Sequence, residues 1–115
     1  MGTGDFWGNE APVGRLAEKL GLPVAYVTDT DLHADPRLLD GATAVLSLGH
    51  DEYYSEAMWG ALVAARDRQR TNLAFLGANA MYRHIPLGPA PIGPDRLERD
   101  YEAASIDPML KTNPR

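Results

Sequence analysis

The stretch Leu46-Ser-Leu-Gly-His-Asp-Glu-Tyr-Tyr-Ser55 predicts both the fold class and the position of a functional site. Its apolar part is typical of a buried strand and ends at Gly49. Four side chains that can bind protons or metals follow at once: His50, Asp51, Glu52 and Tyr53. In an open α/β sheet, ligands bind outside the carboxyl ends of the strands. The stretch therefore places chemically capable residues where this architecture has its sites.

Composition and charge narrow the class of protein. The chain has 115 residues, which fits one domain, and a formal net charge of -5 at pH 7 without a concentrated positive face. A nucleic-acid partner is therefore not expected. No segment approaches the roughly 20 apolar residues needed to span a bilayer, and no secretory signal is visible. The absence of cysteine excludes disulfides, thiolate metal sites and a Cys nucleophile, and is compatible with a cytoplasmic protein.

Apolar periodicity and turn residues predict alternating helices and strands. Residues 1–8 are expected to be loop-like. The predicted helices are 12–20, 35–39, 55–66 and 95–104, and the predicted strands are 24–28, 44–48 and 72–76. This alternation is typical of an α/β fold, a three-layer structure around a parallel sheet.

Three strands are few for a parallel sheet whose two faces both need covering. The fold is therefore expected to be incomplete, with the remaining domains or a second subunit as partners and an oligomer as the working state. We assign residues 1–87 to the α/β domain. Residues 88–115 form a Pro-rich segment, a short helix and a tail, because prolines and glycines there disfavour regular structure.

The carboxyl ends of parallel strands lie at one edge of a sheet, so three polar segments should meet there: 28–33, 49–54 and 77–82. We call this edge the rim. Its candidate residues are Asp29, Asp31, His33, His50, Asp51, Glu52, Tyr53 and Asn79.

Each candidate has a functional and a structural interpretation. His50 and Glu52 are a possible metal pair or acid–base pair; alternatively, His50 packs and Glu52 interacts with a helix N-terminus. Tyr53 can bind ferric iron as phenolate or be an ordinary rim residue. The acids at 29 and 31 suit a metal or sugar site, or a turn. No serine lies in a Gly-x-Ser-x-Gly elbow, so Ser-His-Asp chemistry is not expected.

Two segments together resemble a known family. Leu48-Gly-His-Asp-Glu-Tyr-Tyr-Ser55 and Asn72-Leu-Ala-Phe-Leu-Gly-Ala-Asn-Ala-Met-Tyr82 are similar to the C-terminal domain of the N,N-dimethylformamidase beta (large) subunit. Tyr26-Val-Thr-Asp-Thr-Asp-Leu-His33 fits the same pattern, and the resemblance covers residues 4–87. It implies a class I glutamine amidotransferase-like (flavodoxin-like) fold that lacks the catalytic Cys. Ala78 and Asn79 then stand where such folds place their nucleophile.

The resemblance also implies a chemistry. In the true amidase it implies a mononuclear iron, held by two tyrosines and a glutamate, that activates water to hydrolyse a small amide. Tyr53 corresponds to one tyrosine, whereas the second has no match and the glutamate is expected beyond Arg115, so Glu52 is not given that role.

We therefore take Tyr53 as the metal ligand, with His50, Glu52 and Asn79 as catalytic candidates. The parent protein is expected to be a metal-dependent amide C–N hydrolase, with little or no activity in this chain alone. The alternative is a non-catalytic α/β module for assembly or ligand binding.

Overall fold

The structure is a computed structural model that describes residues 3–98. It is a small α/β domain of helices and short two-stranded sheets. The elements in chain order are α1 (Thr3–Asp5), a π-helical turn (Phe6–Glu10), α2 (Ala11–Lys19), α3 (Asp29–Ala34), a 3-10 turn (Pro36–Leu39), β1 (Ala44–Gly49), β2 (Tyr53–Tyr54), α4 (Glu56–Gln69), β3 (Asn72–Gly77), β4 (Arg83–His84), β5 (Leu87–Ala90) and β6 (Gly93–Glu98).

The central sheet is the parallel pair of β1 and β3. The two strands run in register from Ala44 opposite Asn72 to Gly49 opposite Gly77, and α4 connects them. This confirms the predicted strands at 44–48 and 72–76 and their parallel direction. The short strands β2 and β4 extend the same relationship, because they also pair in parallel.

Helix α4 covers one face of this sheet. Ser55 caps the helix by accepting a hydrogen bond from the Met58 amide (3.3 Å), as its sequence position predicts. The buried core contains Leu32, Leu39, Tyr54, Met58, Ala61, Leu62 and Ala65, against which Val45, Leu73 and Met81 pack. Successive strand residues point to opposite faces, so Leu46 and Leu76 lie on the other face, where they are 47% and 60% exposed.

The predicted strand at 24–28 is wrong. Residues 22–28 have no regular structure, and within the described part of the chain β1 pairs with β3 alone. Tyr26 instead packs its ring on Gly14 of α2 and donates a hydrogen bond to Glu18 (3.1 Å). A β-rich segment needs a partner strand to form a ladder, and this side-chain anchor holds the segment along α2 instead.

Two further expectations are wrong. Residues 95–98, predicted to start a helix, belong to β6, which pairs antiparallel with β5 around the turn at Pro91 and Ile92. Asp95 has φ +54, which a helix does not allow; residues 99–104 lie outside the described part.

The N-terminal segment is not a loop but contains α1 and the π-helical turn. The flavodoxin-like three-layer parallel sheet is not confirmed, since the described strands form three separate pairs.

Within residues 3–98, we find no helix long and apolar enough to cross a membrane. The division of the chain at residue 87 stays a prediction, although the β5–β6 hairpin begins there.

We predict opposite effects of alanine at two glycines. A Cβ at Gly77 would overlap the backbone oxygen of Gly49, whereas one at Gly60 in α4 meets nothing. Gly77→Ala should therefore lower the free energy of unfolding by roughly 2 kcal/mol or more, and Gly60→Ala should raise it by about 0.5–1 kcal/mol. Urea unfolding of both variants measures this, and a stable Gly77→Ala would contradict the close approach of β1 and β3.

Candidate functional site

The segments that follow β1 and β3 run side by side. Gly49 accepts a backbone hydrogen bond from Ala78 (2.9 Å), and Asp51 accepts one from Met81 (3.0 Å). The ladder continues with a bond from Arg83 to Glu52 (2.9 Å). The parallel register of the strands therefore brings two of the three predicted polar segments together at the rim.

The third segment reaches the same region through α3. Thr28 caps this helix, and its side chain and that of Asp31 form a reciprocal capping box. At the other end of the helix, Nδ1 of His33 lies 2.7 Å from Oγ of Ser55, the cap of α4. Asp31 thus has a local structural use, and His33 ties α3 to the segment that carries Tyr53.

His50 and Glu52 are in direct contact. Nε2 of His50 lies 2.7 Å from one carboxylate oxygen of Glu52, and Nε of Arg83 lies 3.4 Å from the other. The Glu52 side chain is only 11% exposed, whereas that of His50 is 40% exposed. The arrangement is a shielded carboxylate that orients an accessible imidazole, as the spacing of the two residues allows.

Asp51, between them, turns inward. Its Oδ2 accepts hydrogen bonds from Ser47 (2.5 Å) and from the Tyr54 hydroxyl (2.5 Å), and both donors are buried. Burial, followed by the interaction with Asp51, raises the pKa of Tyr54 far above its usual value. Of the two adjacent tyrosines, Tyr54 is therefore a neutral donor of the interior.

Tyr53 and Asn79 lie at the rim as predicted. Tyr53 is half-buried in β2, opposite Arg83. Asn79 is exposed in the turn after β3, with φ +55, and its carbonyl accepts a hydrogen bond from Tyr82 (3.0 Å). A left-handed conformation is tolerated by Asn better than by most residues.

A shallow cleft of about 330 Å³ lies beside this arrangement. Its lining consists of Asn9, Gly49, His50, Leu76, Gly77 and Ala78. Among the catalytic candidates, His50 is the one that lines the cleft. Asn9 is not among the residues predicted for the site, because the sequence of the N-terminal segment is typical of a loop. Its position beside the cleft depends on the packing of Asn9 and Glu10 on Gly49.

For the expected iron centre of two tyrosines and a glutamate, Tyr53 is the described residue that the family resemblance assigns as a ligand. Within residues 3–98, no three His, Asp or Glu side chains converge as metal ligands. The Tyr54 hydroxyl donates a hydrogen bond to Asp51 in the interior, and Tyr53 lies beside it in β2, opposite Arg83.

Carboxylates crowd around Asp29 at the start of α3. The pKa of Asp29 is raised to about 6. The largest cause is loss of hydration among the surrounding protein atoms, and the negative charges of Asp51, Glu10 and Glu98 add to it. Asp29 is nevertheless exposed as a residue, so solvent screens much of this repulsion. By contrast, hydrogen bonds from Thr28 lower the pKa of Asp31.

We predict a pH-dependent gain in stability for Asp29→Asn. The raised pKa means that the folded state disfavours the carboxylate, so the wild type loses stability as the pH rises from 3.8 to about 6. The variant should gain about 1 kcal/mol at pH 7.5 after allowance for screening, and less at pH 4.5.

The matched control is Asp31→Asn. Its lowered pKa places its titration below pH 3.8, so this variant should lose stability equally at pH 4.5 and pH 7.5. Urea unfolding at both pH values measures the two effects, and a gain for Asp29→Asn that is independent of pH would contradict the crowding of charges.

Comparison with known protein families gives a match over the chain. The family model described as "N,N-dimethylformamidase beta subunit-like, C-terminal" matches residues 1–115. Searches of curated proteins and of solved structures gave no significant match. Since the match spans the whole chain and agrees with the motifs at the rim, the chain belongs to the N,N-dimethylformamidase beta subunit-like, C-terminal family.

Proposed function

We propose that this chain is the α/β domain of an amide C–N hydrolase that acts on small amides such as N,N-dimethylformamide. The observation that carries the proposal is the contact of His50 with Glu52 beside the cleft at the ends of β1 and β3. Membership of a family named after N,N-dimethylformamidase supports the proposed reaction class. Hydrolysis adds water across the C–N bond and releases a carboxylic acid and an amine.

His50 is the proposed general base. A carboxylate can only accept hydrogen bonds, so Nε2 of His50, which faces Glu52, carries the proton and Nδ1 keeps its lone pair. That nitrogen can take a proton from water as it attacks the amide carbonyl and pass it to the departing amine nitrogen. Glu52 fixes the tautomer and stabilises the imidazolium formed in between.

Asn79 and Tyr53 complete the proposal. The Asn79 side-chain amide is a hydrogen-bond donor on the neighbouring turn, suited to hold the carbonyl oxygen of the substrate. Tyr53 would provide one iron ligand, with the others supplied by the remaining domains or a second subunit. Iron, when bound, would supply Lewis-acid polarisation of the carbonyl. We place this assembly in the cytoplasm, in keeping with the absence of cysteine.

A second candidate is a non-catalytic module for assembly. It is favoured by apolar side chains left at the surface: Leu46 and Leu76 on the open sheet face, and Trp59 and Phe75 beside a groove of about 490 Å³ between α4 and β3. Exposed apolar surface of this kind is typical of contact regions between subunits or domains.

The first test removes the proposed iron ligand. Tyr53→Phe in the intact protein should lose bound iron and hydrolysis of N,N-dimethylformamide, because the variant keeps the ring but lacks the phenol oxygen. Tyr26→Phe, which changes an exposed tyrosine in the irregular segment 22–28, should keep both. Iron content by elemental analysis and amine release measure the outcome. Iron that is unchanged by Tyr53→Phe would remove the metal assignment, and a wild type without amidase activity would favour the assembly module.

The second test addresses the acid–base pair. Glu52→Gln should lower kcat by about 10²–10⁴-fold. The neutral amide lacks the negative charge that stabilises the imidazolium of His50. Glu56→Gln, at an exposed position in the first turn of α4, should leave kcat unchanged. Steady-state kinetics with N,N-dimethylformamide provide the measurement. Equal rates for wild type and Glu52→Gln would remove the pair from the mechanism.

A further inference from the structure

The side chain of Asp51 links β1 to β2 through a single oxygen. Its Oδ2 accepts one hydroxyl bond from Ser47 in β1 and one from Tyr54 in β2, both at 2.5 Å. Bonds of this length from a hydroxyl to a carboxylate are among the strong hydrogen bonds of proteins. Ser47 and Tyr54 are 9% and 7% exposed, so the link is built into the interior.

The backbone of the same residues is fixed as well. The carbonyl of Asp51 accepts the Met81 amide, that of Glu52 accepts Arg83, and that of Tyr54 accepts Ile85. Residues 50–54 are therefore attached on one side to β1 through a side chain and on the other to the segment after β3 through the main chain. Asp51 and Tyr54 point inward, and His50, Glu52 and Tyr53 are the residues of this segment that remain as candidates at the rim.

We propose that Asp51 is the positioning residue of the rim, holding the segment that carries His50, Glu52 and Tyr53 in place through its shared contact with Ser47 and Tyr54. Oδ2 of Asp51 already accepts hydrogen bonds from two hydroxyl groups and is therefore poorly suited to accept a proton from substrate. Asp51 thus acts through its neighbours. The catalytic part of this assignment rests on the proposed amide hydrolysis; the geometric part does not.

The test uses variants of the intact protein that remove one hydroxyl each. Tyr54→Phe and Ser47→Ala should each lower kcat for N,N-dimethylformamide by about tenfold, the loss expected for one hydrogen bond to a charged group, with little change in KM. They should also speed hydrogen exchange at the Met81, Arg83 and Ile85 amides. Asp51→Asn, which keeps an oxygen acceptor, should retain more activity than Asp51→Ala.

The matched control is Thr71→Val. Thr71 is equally buried and donates its hydroxyl to the Ala42 carbonyl (2.9 Å), away from the rim. This variant should lose stability while kcat and exchange at the three amides stay at wild-type values. The same fall in kcat for Thr71→Val as for Tyr54→Phe would overturn the proposal, because general destabilisation would then explain both.

A second result would also overturn it, namely unchanged exchange at all three amides in both Tyr54→Phe and Ser47→Ala. A wild type that hydrolyses no amide, together with the expected change in exchange, would overturn the proposed function alone and would support the geometric role of Asp51. Exchange thus separates failure of the positioning role from failure of the reaction.

Discussion

The parallel register of β1 (Ala44–Gly49) and β3 (Asn72–Gly77) is the constraint on which the rest of this structure depends. It ends with Gly49 opposite Gly77, where the two backbones approach so closely that no side chain fits at Gly77. Because both strands end at the same level, the chain beyond each one starts from the same edge. The backbone ladder then continues past the strands and aligns residues 51–54 with residues 81–85.

This alignment places the polar residues of the segment 50–54 in two different environments. Asp51 and Tyr54 face the interior and bind each other, with Ser47 as a second donor. His50 and Glu52 form a contact at the rim, supported by Arg83 from the neighbouring segment. A carboxylate that is shielded from water and an imidazole that is accessible make a chemically asymmetric pair, and the proposed acid–base role uses the accessible imidazole.

The sequence predicts the parts of the fold that are decided locally. The strands at 44–48 and 72–76 are apolar runs that end at glycine, and α4 has a serine cap, so their signals lie within a few residues of each other. The segment 24–28 has an equally strong β pattern, but a strand also needs a partner, and Tyr26 binds Glu18 instead. The β5–β6 hairpin is not predicted, because its prolines and glycines indicate irregular structure; Pro91 lies in the turn, but Gly88, Pro89, Gly93 and Pro94 lie in the two strands.

The same distinction explains what could be foreseen at the rim. The contact of His50 with Glu52 is one of the two interpretations that their spacing left open, whereas Arg83 is 31 positions from Glu52 and is brought in by strand register. The different environments of Tyr53 and Tyr54 depend on which of the two tyrosines binds Asp51. The position of Asn9 beside the cleft depends on the packing of the N-terminal turn on Gly49. Such contacts are decided by tertiary structure and leave no local pattern.

The most direct measurement of this account is the pattern of nuclear Overhauser effects between the segments after β1 and β3 in solution. The account predicts contacts between the backbone protons of Gly49 and Ala78 and between those of Asp51 and Met81, in the order of a parallel ladder. An antiparallel order, or no contacts between these residues, would contradict the common rim and with it the grouping of His50, Tyr53 and Asn79.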